Sequence, residues 1–219
     1  MFGNPKRVEI DHHTSRLIVG VMALTLATLT SFFSGGDIQS ISASYHEDGW
    51  ARDIFVGFLF AISAFLFAYN GKSTPEMILS KLAAVASMGV AMFPCKCGSH
   101  EEIIPGVHGI SAAIMFLILA VFCFIFYRRA HNKGHFQARI RAYIYAFCGI
   151  AIVVSILVLG IDHLTNDSIS AKIDRLTFYG EAAGLLAFGI AWLTASRTIP
   201  FITNKDERYS LSPYIDSEA

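Results

Sequence analysis

Six long apolar runs divide the chain: Leu17–Phe33, Ile54–Tyr69, Met77–Phe93, Val107–Tyr127, Tyr143–Ile161 and Phe178–Ala195. Each approaches the ~20 residues that cross a hydrocarbon core once its flanks are counted. Backbone amides in lipid must be bonded within their own segment or in a closed barrel, and these runs lack the period-two alternation of barrel strands. The pattern therefore predicts an all-α polytopic membrane protein, a six-helix transmembrane bundle. Residues 17–196 form the membrane domain and 1–16 a short lead. Residues 197–219, with Pro200, Pro213 and no apolar period, read as a mobile tail.

The polar intervals carry start and stop signals. Ser34-Gly35-Gly36 ends the first run, and Thr74-Pro75-Glu76 supplies an N-cap, a first-position proline and a first-turn acid for the third helix. That helix is rich in small residues, Ala83, Ala84, Ala86, Ser87, Gly89 and Ala91, which allow close backbone approach and predict a central place. Gly180, Gly184 and Gly189 give the sixth helix a similar face.

Composition agrees: with 54% hydrophobic and 16% charged residues and a mean hydropathy of +0.52, the chain has too little polar surface to cover a soluble globule. The zero net charge hides an asymmetry between faces. Cytoplasmic loops collect Lys and Arg. With the N-terminus inside, all but Arg52, Lys96, Lys172 and Arg175 of the 17 basic residues fall on inner segments. Both termini are therefore expected in the cytoplasm of a cell with a bacterial-type inner membrane. Ser31-Phe32-Phe33 offers no small-x-small cleavage site, so the first run reads as a retained helix. Cys95 and Cys97 share an outer loop, where a bridge across so short a spacing is expected to be strained, while Cys123 and Cys148 fall inside spans as small apolar residues.

Candidate chemistry gathers at the outer helix ends. Helices two, four and six all run inward and carry Asp53, His108 and Glu181 near their starts. Helix five adds Asp162 and His163, and the dense stretch Ser40–Gly57 adds Ser42, His46, Glu47 and Asp48. Ionisable groups beside hydrocarbon tend to face the bundle interior, where they pair or do work. His46, His108 and His163 are candidate zinc ligands with an open position for water. Asp53 would orient one of them, Glu181 would act as general base, and Ser42 completes the catalytic candidates. The structural alternative is that Asp53 complements its own helix N-terminus or pairs with Arg52 or Arg175, and that the other groups brace helix ends. His131 and His135 stand four apart among Arg128, Arg129, Lys133 and Arg139, a setting that favours headgroup anchoring over a metal cation. No P-loop, dinucleotide fingerprint, lipase elbow or His-Glu-x-x-His occurs.

Ser42-Ala43-Ser44-Tyr45, Arg52-Asp53-Ile54-Phe55-Val56-Gly57, Phe93-Pro94, His108, and Glu181 with Phe188-Gly189-Ile190-Ala191-Trp192-Leu193 together resemble a family of bacterial six-span inner-membrane proteins of unknown function. That resemblance implies a fold and no activity. Ser42 and His46 also resemble the Ser-x-x-x-His element of the alkaline ceramidase and adiponectin-receptor hydrolases, with Asp53 standing for their Asp. This second resemblance implies a zinc-dependent hydrolase of a lipid or amide. Those proteins have seven helices and a late His-x-x-x-His, matched here only by His131/His135 on the opposite predicted face, so His108 and His163 would have to substitute. Two readings follow: a membrane-embedded hydrolase at the outer leaflet, and a non-enzymatic protein that binds a lipid, a small molecule or a protein partner. A proton-coupled transporter working through Glu181 is a third, weakened by the lack of charge at mid-membrane. The bilayer and a lipid ligand are the expected partners; nucleic acid is not.

Overall fold

The computed structural model describes residues 11–36 and 38–209. Six α-helices account for most of them: α1 His12–Phe33, α2 Trp50–Ala68, α3 Thr74–Met92, α4 Val107–His131, α5 Phe136–Leu164 and α6 Leu176–Ser196. All six are long and apolar enough to cross a membrane, so the protein is a multi-pass integral membrane protein. The lead, the basic linker and the tail depart from the sequence reading. α1 starts at His12, capped by the Asp11 carboxylate, which accepts from the His13 amide. α5 starts at Phe136 rather than near Tyr143, because the polar residues around Arg139 and Arg141 continue the helix beyond its apolar stretch.

The helices pack in chain order as a closed ring, each against the next and α1 against α6, with α4 also touching α6 across the interior. Two faces result. At one, here the terminal face, Arg16 of α1 donates to the Ala195 carbonyl of α6 and to Tyr69 at the α2–α3 turn, and Arg129 of α4 pairs with Glu76 of α3. At the other, the loop face, Arg175 at the end of the α5–α6 connection and the Phe178 amide in the first turn of α6 donate to the Ile38 and Gln39 carbonyls of the α1–α2 connection.

The aromatic centre of the interior comes from α4 and α6, while α3 contributes buried small residues such as Ala83, Ala84 and Ala86. Trp192 of α6 lies with its ring centroid 4.8 to 5.2 Å from those of Phe188, Phe122 and Phe126, and all four are buried. The small residues of α3 serve its seam with α2. Across it Ser63 donates to the Ala84 carbonyl at 2.8 Å, Ser80 to Leu66 at 2.5 Å and Ser87 to Leu59 at 3.0 Å. The α1–α6 seam is closer still: a Cβ on Gly20 would lie 2.9 Å from the Leu193 nitrogen, and one on Gly189 2.9 Å from the Gly20 carbonyl oxygen.

The start of the tail, read from sequence as mobile, folds back. Two short 3-10 turns, Pro200–Ile202 and Lys205–Glu207, lie on the terminal face. Thr203 is buried, the Tyr209 amide donates to the Arg197 carbonyl, and the Tyr209 ring stacks on His13. Residues 210–219 lie outside the described part, as do 1–10 of the lead.

Candidate functional site

The α1–α2 connection is held at the loop face by α6. The segment Ser42–His46 is a single 3-10 helix whose first amides lack partners of their own. Glu181, in the second turn of α6, supplies them. One carboxylate oxygen accepts from the Ile41 amide at 2.5 Å and the Ser42 amide at 3.1 Å, and the other accepts from the Ser42 hydroxyl at 2.7 Å. This is helix capping performed from a neighbouring helix, and it engages two of the three catalytic candidates, Glu181 and Ser42.

The other candidates are held separately. His108, buried in the first turn of α4, donates its Nδ1 proton to the Phe93 carbonyl at the end of α3, 2.7 Å away. That bond closes the α3–α4 loop. His46 donates Nε2 to the Cys95 carbonyl at 2.8 Å, fastening the first loop to the second. Asp162, buried near the end of α5, accepts from the Ile169 and Ser170 amides at 2.8 and 3.0 Å and folds the α5–α6 loop back on itself. Asp53 stands exposed in the first turn of α2, where its charge complements the helix N-terminus. Neither Arg52 nor Arg175 forms an ion pair with it among the described residues; Arg175 bonds the Ile38 carbonyl and covers the Phe178 ring instead. His163 is exposed at the end of α5.

Among the described residues, no group of three or more His, Cys, Asp or Glu side chains is placed to hold a metal ion. The expected zinc set of His46, His108 and His163 is corrected accordingly: each imidazole belongs to a different element, and the three form no common metal-holding group among the described residues. Ser42 and His46, the Ser-x-x-x-His pair, begin and end one 3-10 turn but serve different partners. His131 and His135 also part: His131 ends α4, whereas His135 caps α5 by accepting from the Ala138 amide. Cys95 and Cys97, close neighbours in a loop where oxidation is expected to give a strained bridge, are joined in a disulfide.

The unbalanced charge lies at the terminal face. There a cavity of about 30 Å³ is lined by Arg16, Lys72, Arg129, Lys133, Arg141 and Arg197, with Phe126 and Tyr145 as its apolar wall. Two carboxylates answer these six cations. Glu76 takes Arg129 at 2.5 Å; Glu207 takes Arg141 at 2.6 Å and Arg197 at 3.8 Å, and also pairs with Lys133. Arg16 and Lys72 have no carboxylate partner among the described residues.

Arg16 is only 5% exposed, yet its Nε has no hydrogen-bond partner among the described residues. Its Nη atoms bond the Ala195 carbonyl and Tyr69, and its guanidinium lies 5.2 Å from the Tyr69 and Phe126 ring centroids. These contacts offset part of the several kcal/mol that desolvating such an ion costs. At Lys72 partial burial, followed by the charges of Arg197, Arg129, Arg16 and Lys133, pushes the ammonium below its usual pKa. The cavity is thus a small region of crowded positive potential that favours an anion. The basic linker is legible in the sequence but this site is not, because its members come from α1, the α2–α3 turn, α4, the α4–α5 turn, α5 and the tail.

No protein-family model matches the chain, and no curated protein or solved structure matches it either.

Proposed function

We propose that this protein is a non-enzymatic membrane protein that binds a phosphate-class anion, carried on a lipid headgroup or a small molecule, in the basic cavity of its terminal face. The supporting observation is the six cations and two carboxylates around that cavity, with Arg16 buried and unmatched by a carboxylate among the described residues. Basic pockets between the cytoplasmic ends of transmembrane helices suit anionic headgroups, and guanidinium groups suit phosphate oxygens in particular. The concentration of Lys and Arg on this face supports a cytoplasmic orientation in a bacterial-type inner membrane, the setting that the resemblance to the six-span family implies. The hydrolase and transporter readings lose their footing because Glu181, Ser42, His46 and His108 are already engaged in bracing the loop face.

The test compares protein in neutral phosphatidylcholine nanodiscs with protein in discs that also contain phosphatidylglycerol, and adds inorganic phosphate to the neutral discs. Thermal stability and lipid retained in native mass spectra are the readouts. Retention of the anionic lipid with a raised melting temperature identifies a headgroup as the ligand; a rise with free phosphate alone identifies a soluble ligand. Lys72→Gln removes no side-chain bond of the described fold and is expected to weaken binding roughly tenfold, the effect of losing one charge-assisted contact. Equal stability in both discs with no response to phosphate, or a Lys72→Gln protein that binds like the wild type, overturns the proposal.

A further inference from the structure

The loop face holds a second arrangement, around the His46–Cys95 bond. The α3–α4 loop reads Cys95-Lys96-Cys97-Gly98-Ser99-His100, a Cys-x-Cys-x-x-His spacing whose sulfurs form a disulfide. His46 comes from the other side of the face and stacks on His100, with ring centroids 4.1 Å apart and planes at 13°. Both rings turn a nitrogen toward the backbone of the cysteine segment: His46 Nε2 lies 2.8 Å from the Cys95 carbonyl oxygen and His100 Nδ1 3.3 Å from that of Cys97. The Ser40 hydroxyl lies 3.6 Å from Cys97 Sγ. While the disulfide is closed the sulfurs cannot ligate, and no metal-holding group exists here.

We infer that reducing the Cys95–Cys97 disulfide creates a zinc site with Cys95, Cys97, His46 and His100 as its ligands. Two thiolates and two imidazoles are the donor set of tetrahedral zinc. Zn–S bonds of about 2.3 Å in a tetrahedron put the two sulfurs about 3.8 Å apart. The cysteine Cα atoms are 5.4 Å apart, so side-chain rotation opens the sulfurs to that distance without moving the backbone. Ser40 then donates its hydroxyl proton to the Cys97 thiolate, an outer hydrogen bond of the kind that steadies metal ligands. The chemistry balances in two steps. A dithiol reductant breaks the S–S bond, becomes a disulfide itself and leaves two protein thiols. Zinc binding then displaces both thiol protons to solvent, one per Zn–S bond. The face thus has two closed states, one held by the disulfide and one by the metal, and His46 ties the α1–α2 connection to either.

The experiment uses the full chain in nanodiscs, oxidised or reduced with a phosphine and freed of it, titrated with Co2+ as a spectroscopic stand-in and then with Zn2+. Reduced protein is expected to bind one metal per chain with the thiolate-to-cobalt charge-transfer band and the intense visible bands of a tetrahedral site; oxidised protein is expected to show neither. His100→Ala, at an exposed position, is expected to lower zinc affinity at least tenfold and to lose the tetrahedral spectrum, and a Cys123→Ser/Cys148→Ser protein is expected to keep both. Three results overturn the inference: reduced protein with its thiols titrated that takes up no metal, oxidised protein that binds equally well, or His100→Ala that binds with unchanged spectrum and affinity.

Discussion

Glu207 shows how much a single tail residue does at the terminal face. Burial works against its charge, but the bond from Lys133, the charge of Arg197 and the bond from Arg141 outweigh it and bring the carboxyl from 4.5 to about 2. A carboxyl held below its undocked value stabilises the docked state above that value, and the stabilisation fades as protons bind. Docking of residues 203–209 is therefore expected to be intact above pH 4.5 and to weaken as the pH falls toward 2, by about 3 kcal/mol at most. Amide exchange of Thr203 to Tyr209, read by mass spectrometry across that interval, checks it. Glu207→Gln should exchange faster at neutral pH and show no added loss in acid; a variant as protected as the wild type would remove Glu207 as the anchor. The polar composition of the tail gave no hint of this docking, because the partners, Arg141 on α5 and Lys133 in the preceding turn, are distant in sequence. Glu181 was legible only by half. An acid beside hydrocarbon signals a paid-for purpose, but an N-cap and a general base need the same carboxylate, and only the positions of the Ile41 and Ser42 amides separate them.

Among the elements, two seams rest on different physics, and magnitudes separate them. The α2–α3 seam uses serine donors on facing carbonyls, and bonds of this kind between membrane helices average about 0.6 kcal/mol. The α1–α6 seam uses backbone proximity: at Gly20 an added Cβ meets the Leu193 nitrogen at 2.9 Å and the Gly189 oxygen at 3.1 Å, neither of which can rotate away. Gly20→Ala is therefore expected to cost about 1–3 kcal/mol through overpacking, more than Ser63→Ala. Gly160→Ala, where a Cβ meets nothing within 4 Å, should be neutral or better. Unfolding of the three variants in mixed detergent micelles ranks them, and a Gly20→Ala protein no weaker than Ser63→Ala would show that the seam has slack. Helix number and the small-residue faces of α3 and α6 were readable because lipid imposes length and close packing writes Gly and Ala. Which helices supply the aromatic centre was not, since Ala-rich and aromatic faces are equally apolar and only the packing of the ring turns Trp192 inward.

For the whole molecule, two unrelated features support the same proposed orientation. The terminal face carries the cavity cations Arg16, Lys72, Arg129, Lys133, Arg141 and Arg197, and the positive-inside bias favours the cytoplasm for such a face. The loop face carries the Cys95–Cys97 disulfide, and disulfides persist in oxidising compartments outside the cytoplasm. Charge acts during insertion and redox chemistry afterwards, so neither signal entails the other. With this orientation, a membrane-impermeant maleimide applied to intact spheroplasts after mild reduction should label Cys95 and Cys97. Cys123 and Cys148, buried within their spans, should stay unlabelled until the protein is denatured. A cysteine placed at exposed Asn132, in the α4–α5 turn, should react only after the membrane is opened, in a background lacking the native thiols. Labelling at Asn132→Cys in closed spheroplasts would invert the bundle. The basic cavity would then face away from the cytoplasm, and a ligand from the cytoplasm or its leaflet could not reach it.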